Sequence, residues 1–555
     1  MRVKGSLVLR GILRTAVSVV AVVLAAVVTL PASGAEWLTY RNGLERHNCS
    51  SEKFTAPLSL VWKFTTAASN ERVPPVVTRD RVFCAAGSHM QALDLATGAS
   101  LWDYDAGDTI LAPATYTDGR LVFGADNGKI VCLNAADGKE AWVVSTTLAV
   151  RAAPAVVGGA VYVASLDRRV MALDLSTGAQ RWAQQLTDEL WGALAVMDNM
   201  VYVPSADGQF FGLDSADGRI RMQLTMTPRR ALMHPAVIAE DAIYLAGRSD
   251  LRGLSLRGSQ RWQREFGTFV TGAPALGGGR LYLALIDGRV LALDLERGRT
   301  LWQFDFNADM AAPPTVVGEV VVAGAAGGLV YGLDAASGRP RWRYEGQPPG
   351  VAAGSKASFN LAASPVYSNG SLYLMWDDGT LARFDVNASD MVPPTIRLLT
   401  PSENMVTGTK LPKTIGAQVF DEESGLDMSS LAMKLDGAPV DAKYDPYTGY
   451  FTYTITEKGP TGPLKTGWHT VSITARDQRG NEVSKSWGFV AQPGAETEPA
   501  QTSAEQPAQT SGYGPQPGPA GGSPEGTAPY GLPGTPPQEA VPPVAPPPES
   551  EAPPE

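Results

Sequence analysis

The stretch Ala92-Leu-Asp-Leu-Ala-Thr-Gly-Ala-Ser-Leu-Trp102 returns, with variations, along the first two-thirds of the chain. Close copies are Ala172-Leu-Asp-Leu-Ser-Thr-Gly-Ala-Gln-Arg-Trp182 and Ala292-Leu-Asp-Leu-Glu-Arg-Gly-Arg-Thr-Leu-Trp302. Looser copies end at Trp142, Trp262 and Trp342, and the same 40-residue beat passes through Trp62 and Met222. A fixed period of this size means stacked units that bury their faces against one another.

Each unit reads as four short strands. In residues 153–182, Ala153-Pro-Ala-Val-Val157 leads to a Gly158-Gly159 turn, and Val161-Tyr-Val-Ala-Ser165 to a turn at Leu166-Asp-Arg-Arg169. Val170-Met-Ala-Leu-Asp174 follows, then a Ser176-Thr-Gly178 turn, and Gln180-Arg-Trp182 opens the fourth strand. Alternating β-rich runs between Gly, Asp and Asn turns are hairpin chemistry. Four strands in about 40 residues describe a propeller blade. Gly98, Gly138, Gly178, Gly218, Gly258, Gly298 and Gly338 stand where a turn needs positive φ. The Trp four residues on covers the seam between blades, and Asp94, Asp174, Asp214, Asp294 and Asp334 can cap turn amides. Trp62, Trp102, Trp142, Trp182, Met222, Trp262, Trp302 and Trp342 are therefore docking residues of a scaffold, with Met222 a softer filler.

The motif occurs seven times, and an eighth unit, Ala363 to Asp385, has three strands and no Trp. Leu58-Ser-Leu-Val-Trp62-Lys-Phe64 is a fourth strand without the other three. Joining them predicts an all-β, eight-bladed propeller over 58–391, with 58–66 closing the last blade and removing free sheet edges. Residues 36–57 form a leader. Val392-Pro-Pro-Thr395 marks a boundary. The segment 392–491 reads as an immunoglobulin-like sandwich, with strands expected at 414–420, 432–435, 449–456 and 469–475. Residues 492–555 hold 18 prolines among Gly, Ala, Glu, Gln and Ser. Such a tail is expected to be disordered. Residues 1–35 read as a signal peptide: Arg2, Lys4, Arg10 and Arg14 precede an apolar run from Thr15 to Leu30 and small residues at Ser33-Gly34-Ala35. The expected address is periplasm, cell surface or extracellular space, with membrane attachment if the segment stays uncleaved.

The net charge of −10 belongs largely to the last 65 residues, which hold eight Glu and no Lys or Arg. No basic face suggests nucleic acid. Cys49, Cys84 and Cys132 allow at most one internal disulfide, and no CxxC pair suggests zinc. Gly124-Ala-Asp-Asn-Gly-Lys129 lacks phosphate-loop spacing and is a hairpin turn.

The repeat resembles the tryptophan-docking motif of the pyrroloquinoline-quinone-like propeller superfamily, and Trp37-Leu-Thr-Tyr-Arg41 resembles the leader that precedes such propellers. Members include quinoprotein dehydrogenases, the scaffold lipoprotein of outer-membrane protein assembly, and secreted binding proteins. The dehydrogenase resemblance implies adjacent cysteines over the quinone and Glu, Asn and Asp around calcium. This chain has no adjacent cysteines, and its units lack long insertions apart from 347–360. The assembly-lipoprotein resemblance lacks a lipidation cysteine and has an extra sandwich. Asp421-Glu-Glu-Ser-Gly-Leu-Asp427 and Ala475-Arg-Asp-Gln-Arg-Gly-Asn481 resemble bacterial immunoglobulin-like modules of surface proteins.

Two sets of site residues follow. Arg72, Arg151, Trp191, His234, Met310 and Lys356 stand at first-strand entries, where side chains are expected to face the central channel and meet an anionic group or peptide. Asp421, Glu423, Asp427 and Asp477 could converge on calcium, or could cap turns. No catalytic residue is expected. The sequence reads as a secreted or envelope-located, non-enzymatic binding or scaffold protein with protein or peptide partners and no required cofactor. The alternatives are a dehydrogenase dependent on pyrroloquinoline quinone and an envelope protein-assembly factor.

Overall fold

Gly158 and Gly159, at φ 58° and 69°, turn the chain between Ala155–Val157 and Ala160–Ala164. Those two strands, Arg169–Asp174 and Gln180–Gln185 form one antiparallel sheet in chain order. This is blade 3 in a computed structural model of the chain, which describes residues 36–66, 73–228, 230–345, 360–407, 411–445, 448–456 and 463–492. The signal peptide, Arg72, Lys356, nearly all of the 347–360 loop and the Pro-rich tail lie outside the described residues.

Seven further sheets repeat this plan. The second strand of blade 3 is buried throughout, because neighbouring blades cover both faces, whereas the fourth alternates between exposed and buried positions. Just before each docking position the fourth strand slips register, as between Ala172 and Leu173 of the partner strand in blade 3. A bulge of this kind re-aims the side chain that follows. Blade 8 takes three strands, Val366–Ser368, Ser371–Met375 and Thr380–Asp385, and borrows Ser59–Thr65 as its fourth. Pairing of Ser59 with Asp385 and of Trp62 with Arg383 closes the ring.

The seams show what the 40-residue beat does. A Cβ on Gly178 would fall 2.8 Å from Cδ2 of Trp142, so the indole of one blade lies on the turn glycine of the next. Trp142 Nε1 then donates to Leu175 O at 2.8 Å. Trp62, Trp102, Trp182, Trp262 and Trp302 make the same bond to the following blade. The turn is set by Asp174, whose Oδ1 accepts from Ser176 N and Thr177 N. Two seams differ. At blade 4, Leu224 rather than Met222 covers the next glycine, with a Cβ on Gly258 falling 2.6 Å from its methyls. At blade 7, Trp342 Nε1 is buried without a partner. No turn motif follows in blade 8 to receive it.

After the last blade, two four-stranded sheets enclose a separate core that includes Ile415, Val419, Val471, Ile473, Trp487 and Phe489. The strand expected at 414–420 is there, and 432–435, 449–456 and 469–475 fall within or over Leu426–Leu435, Tyr450–Thr454 and Gly467–Asp477. Thr395–Thr400 and Glu482–Ala491 were not expected. Gln418 pairs with Arg397 in the first of these, and Ser and Lys dilute the apolar alternation of the second.

Candidate functional site: the channel and the propeller–sandwich junction

The inner strand of each blade exposes edge amides toward the channel axis, and the leader satisfies them. Trp37 bridges Val77 of blade 1. Carbonyls of Leu38, Leu44, Glu45, His47 and Asn48 accept from Tyr116, Val196, Ile238, Leu276 and Val316, in blades 2, 4, 5, 6 and 7. Blade 3 is reached by Arg46, which donates to Pro154 O, and blade 8 by Glu52, which accepts from the amides of Asn369 and Gly370. Cys49–Ser50 adds a parallel strand to blade 7. Sixteen residues, Trp37 to Glu52, thus link all eight sheets.

Two fully buried arginines make this possible. Arg46 donates to Leu194 O, Tyr40 O and Thr39 Oγ1 at 2.7, 2.7 and 3.0 Å. Arg41 donates to Arg46 O and Pro274 O. No carboxylate pairs with either among the described residues; carbonyl dipoles carry the charge, and burial pushes the Arg46 guanidinium down to about 10. Both sit at φ 61°, a left-handed conformation that costs about 1–2 kcal/mol each and persists only where packing over-determines it. The leader was legible as a family resemblance. That its arginines are buried was not, because nothing adjacent in sequence neutralises them.

The channel candidates divide. Arg151 and Trp191 come together, with the guanidinium 4.9 Å from the indole centroid. Arg151 also makes a two-pronged ion pair with Asp126 at 2.9 and 2.7 Å, and Trp191 Nε1 donates to Glu189 at 2.9 Å. His234 stands apart and half-buried; desolvation, then the charge of Arg41, pushes its imidazole down to about 4. Met310 is a correction: it is buried in the core between blades 6 and 7 with Trp302 and Phe306, because it repeats the buried position of Val150 and Leu190, one residue before that of Arg151 and Trp191. These residues do not fit a quinone with an adjacent divalent ion. The indole is covered by Arg151, the nearby carboxylates are spent on Arg151 and Trp191, and Cys84 and Cys132 are separate, buried thiols pushed up to about 12 and about 11.

The calcium candidates also divide, at the place where the sandwich meets blades 7 and 8. Glu423 O accepts from Leu60 N at 3.0 Å, Tyr344 donates to Glu422 O at 2.8 Å, and Lys63 pairs with Glu422 at 2.8 Å. Arg479 reaches Ser59 Oγ and the carbonyls of Val386 and Ala388. Inside this contact, ligand oxygens of Asp390, Asp421 and Asp477 lie within 4.8 Å of one another, and all three side chains are buried. Glu423 is half-buried beside Asp390. Desolvation, then the Asp390 charge, raises the Glu423 carboxyl, and burial pushes Asp421 up to about 6. Asp427 leaves the set: its carboxylate caps Ser429, away from the cluster. Asp390 was missed, since it lies in a linker with no turn motif to mark it. Paired like charges at this spacing repel by about 3 kcal/mol per pair at an effective dielectric of about 20. An all-carboxylate oxygen set of this kind suits a hard cation.

The family model described as outer membrane protein assembly factor BamB matches residues 56–142, 91–178, 126–273 and 247–391. No curated protein matches the chain by sequence. Among solved structures, BamB from Moraxella catarrhalis is 19% identical at a TM-score of 0.49, covering 59% of this chain and 99% of its own. A europium-containing methanol dehydrogenase is 15% identical at 0.52, covering 61% and 89%. The quinohemoprotein alcohol dehydrogenase of Comamonas testosteroni is 16% identical at 0.54, covering 68% and 83%. At these identities the dehydrogenases share the fold alone. No helix among the described residues is long and apolar enough to cross a membrane.

Proposed function

Because the chain belongs to the repeat family of the outer membrane protein assembly factor BamB, we propose that it is a non-enzymatic binding scaffold of the cell envelope with protein partners. The observation that carries this reading is the commitment of the channel's polar groups to the protein itself. Arg46, and Arg41 through all but its buried Nη1, are spent on leader and blade carbonyls, Arg151 on Asp126, and Trp191 on Glu189 and Arg151. Acid–base or redox catalysis needs convergent groups facing a substrate; here the strongest groups face one another. What remains for recognition is surface, including the exposed fourth-strand edges of the blades, to which an extended peptide can add a strand.

The family description supports the finer reading of an assembly factor; the added sandwich supports a role beyond the propeller alone. The basic and apolar segment at 1–35 supports export. The test is crosslinking and capture from envelope fractions with the full chain. Enrichment of envelope proteins, lost when a charge is placed on a fourth-strand edge (Leu301→Lys, 49% exposed), is expected. Dye-linked oxidation of alcohols after addition of pyrroloquinoline quinone and calcium would sink the reading.

A further inference from the structure

Three segments distant in sequence bring carboxylates to one buried place. Asp390 comes from the linker after the last propeller strand, Asp421 from the turn after Thr414–Phe420, and Asp477 from the end of Gly467–Asp477. Their exposures are 5%, 4% and 2%. No Lys, Arg or His forms an ion pair with any of the three among the described residues.

The hydrogen bonds to the cluster leave particular oxygens free. Asp421 Oδ1 accepts from the amides of Glu423, Ser424 and Gly425 at 3.1, 2.8 and 2.7 Å. Asp477 Oδ1 accepts from Arg479 N and Asn481 N, and its Oδ2 from Asn481 Nδ2. Asp390 Oδ1 accepts from Val392 N at 2.9 Å. Asp390 Oδ2 is buried with no amide, hydroxyl or cationic donor, only the carboxyl of Glu423 beside it, and the hydroxyl of fully buried Ser424 is unpartnered. Native proteins satisfy buried polar atoms, so an orphaned carboxylate oxygen inside an acidic cluster points to a positive partner.

We propose that Asp390, Asp421 and Asp477, with Glu423 beside them, bind a calcium ion that staples the sandwich to the closing blade. The amide bonds hold Asp421 and Asp477 in fixed orientations, as supporting contacts do in metal sites generally. Oxygen-only ligands at a buried, multiply charged site match calcium, which takes six to eight oxygens, with water completing the shell. The linker ligand gives the ion its consequence. Asp390 belongs to the propeller side and the other two to the sandwich, so occupancy couples two bodies that otherwise meet through a handful of hydrogen bonds. This proposal is independent of the scaffold reading.

The test uses the full chain, stripped with EGTA and titrated with calcium chloride or magnesium chloride. Calorimetry is expected to show one calcium ion per chain, and saturating calcium is expected to raise the melting temperature by about 5 °C. Calcium should also slow thermolysin cleavage at the exposed linker residues Met391 and Val392. Asp390→Asn and Glu423→Gln, both conservative, should weaken calcium binding by about tenfold or more, while Asp427→Asn leaves it unchanged. No heat and no melting shift at about 10 mM calcium would overturn the proposal; so would a response to magnesium alone, or an undiminished calcium response in both Asp390→Asn and Glu423→Gln.

Discussion

Gly178 lacks a side chain because Trp142 occupies the space one would need. Its φ of 73° adds a second reason. Gly178→Ala is therefore expected to cost about 2–4 kcal/mol in urea denaturation, from overpacking and left-handed strain together. Gly158→Ala, at φ 58° with nothing within 4 Å, should cost only about 1 kcal/mol. At His234 the prediction concerns pH. Its imidazole titrates near 4 when folded against an ordinary 6.5. The unfolded chain takes the proton first, so this group's stabilising contribution is whole above about pH 6.5 and lost as pH falls through about 4. His234→Gln should flatten that slope in urea midpoints measured at pH 7.5 and 4.5, relative to the parent chain. At this scale the sequence is legible wherever a residue's job repeats. Glycine and tryptophan recur at fixed spacing and announce themselves, whereas Asp390 and Arg46 act once, across long sequence distances, and leave no pattern.

Among the elements, the seams are not equal. Between blades 4 and 5 a leucine replaces the indole on the turn glycine, and between blades 7 and 8 the Trp342 Nε1 has no acceptor. Native-state hydrogen exchange is expected to show the fourth strand of blade 4, Ile220–Thr225, opening before that of blade 3, Gln180–Gln185. Equal protection would refute the link between clasp and local stability. The leader makes the opposite prediction. Arg46→Met removes donors from three carbonyls and should cost about 3–5 kcal/mol, and Arg46→Lys should not restore it, since one ammonium cannot span divergent acceptors. Strand order within the repeats was readable because each blade is local and turn-delimited. The strands at 395–400 and 482–491 were not, because their pairing is settled by the sandwich core rather than by their own alternation.

For the whole molecule, the junction joins the sandwich to blades 7 and 8 through Glu422, Glu423, Gln478 and Arg479. A chain shortened to end after Asp390 loses these bonds from Leu60, Lys63 and Tyr344. Its propeller should melt below the propeller of the intact chain by calorimetry, with blades 7 and 8 the first to exchange. An unchanged transition would mean that the two parts meet without energetic coupling. The propeller fold was legible at this scale from the period alone. What stands at its junction was half legible, since Asp421 and Asp477 sit in recognisable turns while their third partner belongs to the linker.

Ring closure has a consequence for how the molecule comes to exist. Ser59 pairs with Asp385, and the leader engages inner strands from blade 1 to blade 8. The strand Ser59–Thr65 therefore has no sheet partner until the last repeat has been synthesised. During that interval each blade can form locally, but the ring, the hub and the final sheet cannot, which is a long-range assembly step of the kind that slows folding. A chain built this way keeps its ring open while it is being made. Its ring completes only once the last repeat has emerged.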